Sequence, residues 1–118
     1  MATRYANRVA FLLVYIREAH PTDGRQVQQN RRDNVLLPTA RTQEEKDAHA
    51  DVCVSRMAIK FPALVDGMNN AVELAYAGWP DRLYLVGRDG RIEFKSDPGP
   101  RGFIPSLLED AIKRTLKN

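Results

Sequence analysis

Few side chains in this chain of 118 residues have the chemistry of a nucleophile or of an acid–base group near neutral pH. The single thiol is Cys53, and the two imidazoles are His20 and His49. Reactive cysteines usually lie at helix N-termini or beside cations, which lower the thiol pKa. Cys53 instead falls between Val52 and Val54, in the middle of a predicted helix. We therefore predict a chemically inert thiol.

A second cluster of polar side chains surrounds His20, because Glu18 and Asp23 stand close to it in the sequence. Carboxylates and imidazoles are metal ligands, but structural zinc sites usually have four ligands, often including cysteine. We therefore predict no metal at this cluster. His49 lies between two aspartates on a predicted helix, and this pattern favours a solvated surface histidine.

The elements that position these residues follow from hydrophobic patterning. A continuous apolar run over residues 9–16 predicts a strand covered on both faces, as in parallel sheets. A buried helix is the alternative, although the run is short for one. Residues 21–41 form a long stretch with little periodicity, which favours a solvated loop, with anion or substrate contact as the alternative. Thr42-Gln-Glu-Glu45 is a capping box and predicts a helix that runs to about Ala58.

The middle of the chain contains a short strand and a short helix. Residues 61–65 predict the strand, with a proline near its start, where a missing N–H matters least. Asn69 or Asn70 can cap a helix that ends near Tyr76. Gly78 is predicted to stop that helix.

The C-terminal part predicts a hairpin followed by a helix. Residues 82–87 and 91–95 alternate in polarity on either side of Asp89-Gly90, a pair typical of hairpin turns that need positive φ. Pro105 fits the first turn of the last helix. The apolar stripe of that helix consists of Leu108, Ala111, Ile112 and Leu116.

Composition limits the protein classes that fit. The chain has a mass of 13.4 kDa, is 43% hydrophobic and 28% charged, and carries a net charge of +3, which predicts one domain over residues 1–118. No apolar run approaches the roughly twenty residues of a membrane helix, and no secretory signal pattern opens the chain, so we expect a cytoplasmic protein. The arginines of the long loop lack interleaved aromatics, which argues against nucleic acid. No phosphate loop or dinucleotide fingerprint is present, so no cofactor is predicted.

Several segments together resemble one family. FLLVYIREAHPTDG, residues 11–24, is similar to the active-site strand and loop of the iodothyronine deiodinase family, where tyrosine, glutamate and histidine recur in this order. FPALVD (61–66) and AYAGWPDRLYLV (75–86), then Gly90-Arg91 and Gly99-Pro100, resemble its bacterial deiodinase-like branch, which is related to alkyl hydroperoxide reductases and thiol-specific antioxidant proteins. The resemblance runs from about Tyr5 to Leu116.

The resemblance implies an α/β fold of the thioredoxin-like, three-layer type, with a C-terminal β-hairpin and helix. The predicted order of helix, hairpin and helix matches the second half of such a domain. In these folds a cis-proline commonly precedes the hairpin, where Trp79-Pro80 stands. The sequence leaves both isomers of Pro80 open, because the cis form of an X–Pro bond costs only about 0.5–1 kcal/mol.

The resemblance also implies a site. Tyr15, Glu18 and His20 would line the catalytic pocket, and Trp79 with Pro80 would contact the substrate. His20 would be the proton donor or hydrogen-bond partner, Glu18 would orient it or tune its charge, and Tyr15 would hold substrate or relay protons. A histidine with a pKa near neutral is the usual acid for such chemistry.

The implied reaction is the thiol- or selenol-dependent reduction of a halogenated aromatic or a peroxide, with a thiol reductant as partner. The family's nucleophile lies upstream, after an earlier strand and at the start of a helix. We expect that unit to be missing from these 118 residues, so that the chain alone is inactive. In a thioredoxin-like sheet the missing strand lies between the first strand and the hairpin.

Without that strand, the first strand and the hairpin each have an unpaired edge. Three arrangements are open for these two edges: they pair with each other, another chain fills the position in a homo-oligomer, or the chain is a fragment of a longer gene product. A non-catalytic thioredoxin-like binding module is the alternative function from a different class.

Overall fold

The protein is described by a computed structural model over residues 1–18 and 39–117. These residues form a mixed α/β structure in two compact units, Met1–Ala75 (unit 1) and Tyr76–Asn118 (unit 2). The elements in chain order are β1 (Leu13–Tyr15), α1 (Gln43–Arg56), β2 (Ala63–Val65), α2 (Ala71–Tyr76), β3 (Tyr84–Val86), β4 (Ile92–Lys95) and α3 (Pro105–Lys117). The α/β class is therefore confirmed. No helix within the described ranges is long and apolar enough to cross a membrane.

Strands β1 and β2 form a parallel pair in unit 1. Leu13 is opposite Ala63, and Tyr15 is opposite Val65. Only three residues of the predicted run over 9–16 form the strand; in it Leu13 and Val14 are half-buried and Tyr15 is buried, whereas Leu12, just before it, is 62% exposed. Among the described strands, β1 pairs with β2 alone.

Helix α1 begins and ends where the sequence predicts. The Thr42 hydroxyl accepts a hydrogen bond from the backbone N–H of Glu45 at 3.1 Å, and the Glu45 carboxylate accepts one from the backbone N–H of Arg41 at 2.9 Å. After Arg56 the chain leaves the helix through Ala58, which has φ of 54°. The capping box and the helix end are confirmed.

Helix α2 has a stronger cap than the sequence indicated. The side chain of Asn69 accepts from the backbone N–H of Ala71 at 3.2 Å, as predicted for one of the two asparagines. The carboxylate of Asp66 accepts from two further backbone N–H groups of the same helix, at 3.0 and 2.9 Å. The prediction that Gly78 stops the helix is wrong: Ala77 follows the last helical residue directly and adopts the left-handed conformation, with φ of 48°.

Unit 2 consists of the predicted hairpin and the predicted C-terminal helix. Tyr84 pairs with Lys95 and Leu85 with Phe94, and an irregularity follows at Val86. Gly90 supplies the positive φ of the turn, 82°. Helix α3 packs against both strands. The buried apolar residues of the unit are Leu85, Leu108, Ala111 and Ile112.

The strands pair as β1–β2 and as β3–β4. The three arrangements of the sheet edges considered above stay predictions.

Candidate functional site

Tyr15 is the last residue of β1 and places a buried hydroxyl group in unit 1. The residue is 9% exposed, and its phenolic oxygen has no hydrogen-bond partner among the described residues. Its backbone carbonyl accepts from the N–H of Asp66 at 2.9 Å, which continues the parallel ladder beyond β2. Buried polar groups in proteins nearly always have hydrogen-bond partners. The Tyr15 hydroxyl can therefore form a hydrogen bond to a bound molecule.

Glu18 follows β1 by three residues and is partly buried. Burial raises the pKa of its carboxyl group, because removal of water disfavours the charged form. The Glu18 carboxyl therefore keeps its proton to a higher pH than a solvated glutamate does.

The predicted acid, His20, lies outside the described residues, as does Asp23. Their positions relative to Tyr15 and Glu18 remain predictions. Among the residues that the structure does describe, no group of three or more potential metal ligands occurs.

Cys53 lies on the inner face of α1 and is half-buried. Burial raises the pKa of its thiol, and the negative charge of Glu18 raises it further. The thiol is therefore held protonated near neutral pH, in agreement with the prediction of an inert cysteine.

The prediction of a solvated His49 is wrong. The residue is half-buried, and its Nδ1 atom is shielded from solvent without a hydrogen-bond partner in the described structure. Helical spacing explains the difference, because His49 falls on the same face as buried Lys46 and Ala50 and half-buried Cys53.

Trp79 and Pro80 belong to unit 2 and precede the hairpin. The peptide bond between them is cis, as is the bond between Gly99 and Pro100. Trp79 is 44% exposed, so its ring is accessible to a binding partner. The backbone N–H of Gly99 donates to the carbonyl of Asp81 at 2.9 Å, which joins the two proline turns.

Asp81, which the sequence analysis did not single out, directly follows Pro80. Burial raises the pKa of its carboxyl, and the hydrogen bond with the Gly99 backbone opposes that effect in part. Its Oδ1 atom is buried and has no partner in the described structure. No sequence signal identified Asp81, because an acidic residue after a proline is ordinary in an exposed turn.

A polar network missed by the sequence analysis joins β2, α1 and α2. Asp66 is 2% exposed and accepts backbone hydrogen bonds from Gly67, Val72 and Glu73. Burial alone would raise the pKa of this carboxyl, but the three hydrogen bonds and the nearby charge of Lys46 lower it overall. The Lys46 ammonium donates to the carbonyl of Gly67 at 3.1 Å, which anchors α1 to the same loop.

Glu73 extends this network to the end of β1. It is 5% exposed, and its Oε2 atom accepts from the Arg17 guanidinium at 3.2 Å. Arg17 lies between Tyr15 and Glu18 in the sequence. The network therefore attaches the chain segment that carries two of the predicted site residues.

Comparison with known proteins identifies the family. The family model described as iodothyronine deiodinase matches residues 1–115. Thyroxine 5-deiodinase from Ovis aries is 31% identical over 114 residues, and those from Sparus aurata and Homo sapiens are 32% and 31% identical over 114 residues. Each alignment covers 97% of this chain but only 37%, 41% and 36% of the respective relative. The chain spans well under half the length of these relatives, and it belongs to the iodothyronine deiodinase family.

Proposed function

We propose that this chain carries the acid side of a deiodinase-like reductase site. The observation that carries the proposal is the end of β1. There the buried Tyr15 hydroxyl, which has no partner among the described residues, and the Glu18 carboxyl, whose pKa is raised, occupy positions of the family-like segment. Both groups can supply hydrogen bonds or protons to a small molecule. The family match over nearly the whole chain supports reductive chemistry at these positions.

His20 completes the proposed site as the proton donor. Glu18, two residues earlier, orients its imidazole or raises its pKa, since a nearby carboxylate favours the charged ring. Tyr15 binds the substrate or relays a proton. Trp79 and Pro80 are proposed to contact the substrate, and the exposed indole supports this role for Trp79.

We propose that the attacking atom comes from other polypeptide. Cys53 is the only thiol in the 118 residues, and both burial and the charge of Glu18 keep it protonated. We propose that the fold is a single thioredoxin-like domain. A β–α unit with a cysteine or selenocysteine at a strand–helix junction completes it, where the helix N-terminus lowers the pKa of the nucleophile. A longer gene product can supply this unit, whereas a second copy of the chain can fill the strand position but brings no thiol other than its own Cys53.

The proposed substrate is a halogenated aromatic, because the relatives to which the chain is similar are thyroxine 5-deiodinases. The thiolate or selenolate attacks the halogen, the carbon–halogen bond breaks, and the carbon takes a proton from the acid. Two thiols of the reductant then release the halide and regenerate the nucleophile as a disulfide forms. The sum is one aryl halide and two thiols giving one arene, one hydrogen halide and one disulfide. A peroxide is the second substrate class, since its O–O bond is broken by the same nucleophile and acid.

A non-catalytic binding module is the second candidate. It is favoured by exposed apolar side chains on or next to the strands of both units. In unit 1, Leu12 just before β1 and Leu64 in β2 are 62% and 55% exposed. In unit 2, Val86 in β3 and Ile92 in β4 are 52% and 53% exposed. Side chains of this kind on strands can serve as an interaction surface.

Dehalogenation and peroxide assays separate the two candidates. The 118-residue chain and a version continued in frame by the upstream genomic sequence are compared with a dithiol as reductant. We expect turnover from the longer polypeptide alone, with a loss of about 100-fold or more in His20→Ala, since general acids contribute about 10²–10⁴-fold. His49→Ala is the matched control and keeps activity.

Three results would contradict the proposal. Full activity of His20→Ala in the longer polypeptide removes the acid assignment. Turnover by the short chain that disappears in Cys53→Ser shows that this thiol is the nucleophile. Absence of turnover in both polypeptides, together with a bound protein partner, favours the binding module.

A further inference from the structure

Glu73 is a buried carboxylate that the proposed reaction does not use. It is 5% exposed, and its backbone N–H donates to Oδ2 of Asp66 at 2.9 Å. Its Oε2 atom accepts from Arg17, while Oε1 is buried without a partner in the described structure. Burial of a carboxylate is costly unless the charge is paired. A buried glutamate with one oxygen on an arginine and the other unpaired therefore needs an explanation other than packing.

The explanation lies in what the arginine is attached to. The ladder of β1 ends where the Tyr15 carbonyl accepts from Asp66, and residues 16–18 continue outside regular secondary structure. The side chain of Arg17 is 55% exposed, so its guanidinium is not fixed by burial. The bond between Arg17 and Glu73 attaches residues 16–18 to α2. The point of attachment, Arg17, directly precedes Glu18. Because α2 is itself joined to β2 through Asp66, the attachment is rigid at its buried end.

We propose that Glu73 is a positioning residue: its ion pair with Arg17 holds the chain after β1 so that the Glu18 carboxyl faces helix α1 at Cys53. The inference rests on the proposed function in that Glu18 belongs to the reaction site. It concerns a residue outside the segment that supplies Tyr15, Glu18 and His20. The electrostatic effect of Glu18 on Cys53 supports the stated direction of the carboxyl.

Cys53 makes the proposal measurable without turnover, because it is the only thiol in the chain. The rate of its alkylation by iodoacetamide is followed against pH in the native chain, in Glu18→Gln, in Glu73→Gln and in the double variant. Glu44→Gln is the matched control, since Glu44 is an exposed glutamate in the first turn of the same helix.

Loss of the Glu18 charge lowers the pH midpoint of alkylation in Glu18→Gln. The rate at pH 7.5 then rises about twofold, since the gain in thiolate exceeds the loss in its intrinsic nucleophilicity. We expect a shift of the same sign in Glu73→Gln, because Glu18 is released from its position. The double variant shows no further shift beyond Glu18→Gln, and Glu44→Gln matches the native profile.

A purely structural role for Glu73 gives a different pattern, because local loosening exposes Cys53 and lowers its midpoint whether or not Glu18 is charged, so Glu73→Gln then adds a further shift to that of Glu18→Gln in the double variant. That pattern overturns the proposal. So does an unchanged midpoint in Glu18→Gln, or a shift in the double variant equal to the sum of the single shifts.

Two further variants keep the test decisive. If circular dichroism shows that Glu73→Gln is unfolded, Glu73→Leu replaces the buried charge with an apolar side chain and is tested in its place. Arg17→Lys keeps a cation for Glu73, so we expect it to retain the native midpoint of alkylation. A midpoint of Arg17→Lys equal to that of Glu18→Gln would count against the ion pair as the positioning contact. None of these outcomes depends on dehalogenation, so the proposed function and this inference fail separately.

Discussion

Unit 1 buries three charged side chains in its described part, whereas unit 2 buries an apolar cluster between its hairpin and α3. The charged set is Lys46, Asp66 and Glu73, and the apolar set is Leu85, Leu108, Ala111 and Ile112. An apolar cluster loses stability in proportion to the volume removed, whereas a polar network fails when one partner leaves another unpaired. The two units should therefore respond to different perturbations. The proposed acid groups lie in the unit whose geometry is fixed by directional bonds.

The largest effect is expected from Ile112→Ala in unit 2. Ile112 is 1% exposed, so truncation leaves a cavity that the hairpin and α3 cannot fill. We expect a loss of about 3–4 kcal/mol in the free energy of unfolding, measured by urea denaturation. Leu107→Ala on the same helix is the control, since Leu107 is 47% exposed and its truncation should cost less than about 1 kcal/mol. Equal losses in the two variants would contradict an apolar core in unit 2.

In unit 1 the corresponding change is Asp66→Asn, which keeps the shape and removes the charge. The amide retains one acceptor oxygen for the three backbone donors and loses the attraction of Lys46. We expect a loss of about 2 kcal/mol at pH 7, with reduced hydrogen-exchange protection in α2. Asp89→Asn, at a side chain that is 58% exposed, should be neutral. A fully stable Asp66→Asn would contradict the view that directional bonds hold unit 1 together.

The two units should also respond to pH in opposite directions. The pKa of Asp66 is lowered in the folded state, so its contribution is fully present above the ordinary value of 3.8 and is lost as pH falls through the lower folded value. The pKa of Asp81 in unit 2 is raised, so its contribution is present below 3.8 and is lost as pH rises through the folded value.

Paired unfolding curves test this difference. The difference in the free energy of unfolding between the native chain and Asp66→Asn should shrink as the pH falls below 3.8. Asp81→Asn should be at least as stable as the native chain at pH 7 and should lose that advantage in acid. Parallel pH curves for both variants would show that neither carboxyl has a perturbed pKa in the folded state.

The sequence predicted those features of both units that depend on short-range signals. The capping box at Thr42, the hairpin turn at Gly90 and the apolar stripe of α3 each need only a few neighbouring residues, and the structure confirms them. The buried polar network was not predictable in this way. Asp66 and Glu73 meet through a turn, and Glu73 meets Arg17 from 56 positions away, so no periodicity marks them.

The candidate site shows the same division. Family resemblance identified Tyr15 and Glu18, but composition could not show that the Tyr15 hydroxyl is buried and unpaired or that burial raises the pKa of Glu18. His49 was wrongly predicted to be solvated because its flanking aspartates were weighted above its helical position. The length of β1 was overestimated, because an apolar run measures hydrophobicity and not how many strands pair with it.

The smallest expected effect distinguishes the helices of the two units. Helix α1 buries only Lys46 and Ala50, so its stability depends on bonds at its ends, whereas α3 is held by its apolar stripe. Thr42→Ala removes the hydroxyl that accepts from Glu45 and should cost about 1 kcal/mol, while Thr42→Ser keeps the acceptor and should be neutral. Hydrogen exchange of the first-turn amides of α1 measures both. Equal exchange rates in the two variants would mean that packing, and not the cap, holds the start of α1, and the contrast between the two units would then be limited to the Asp66 network.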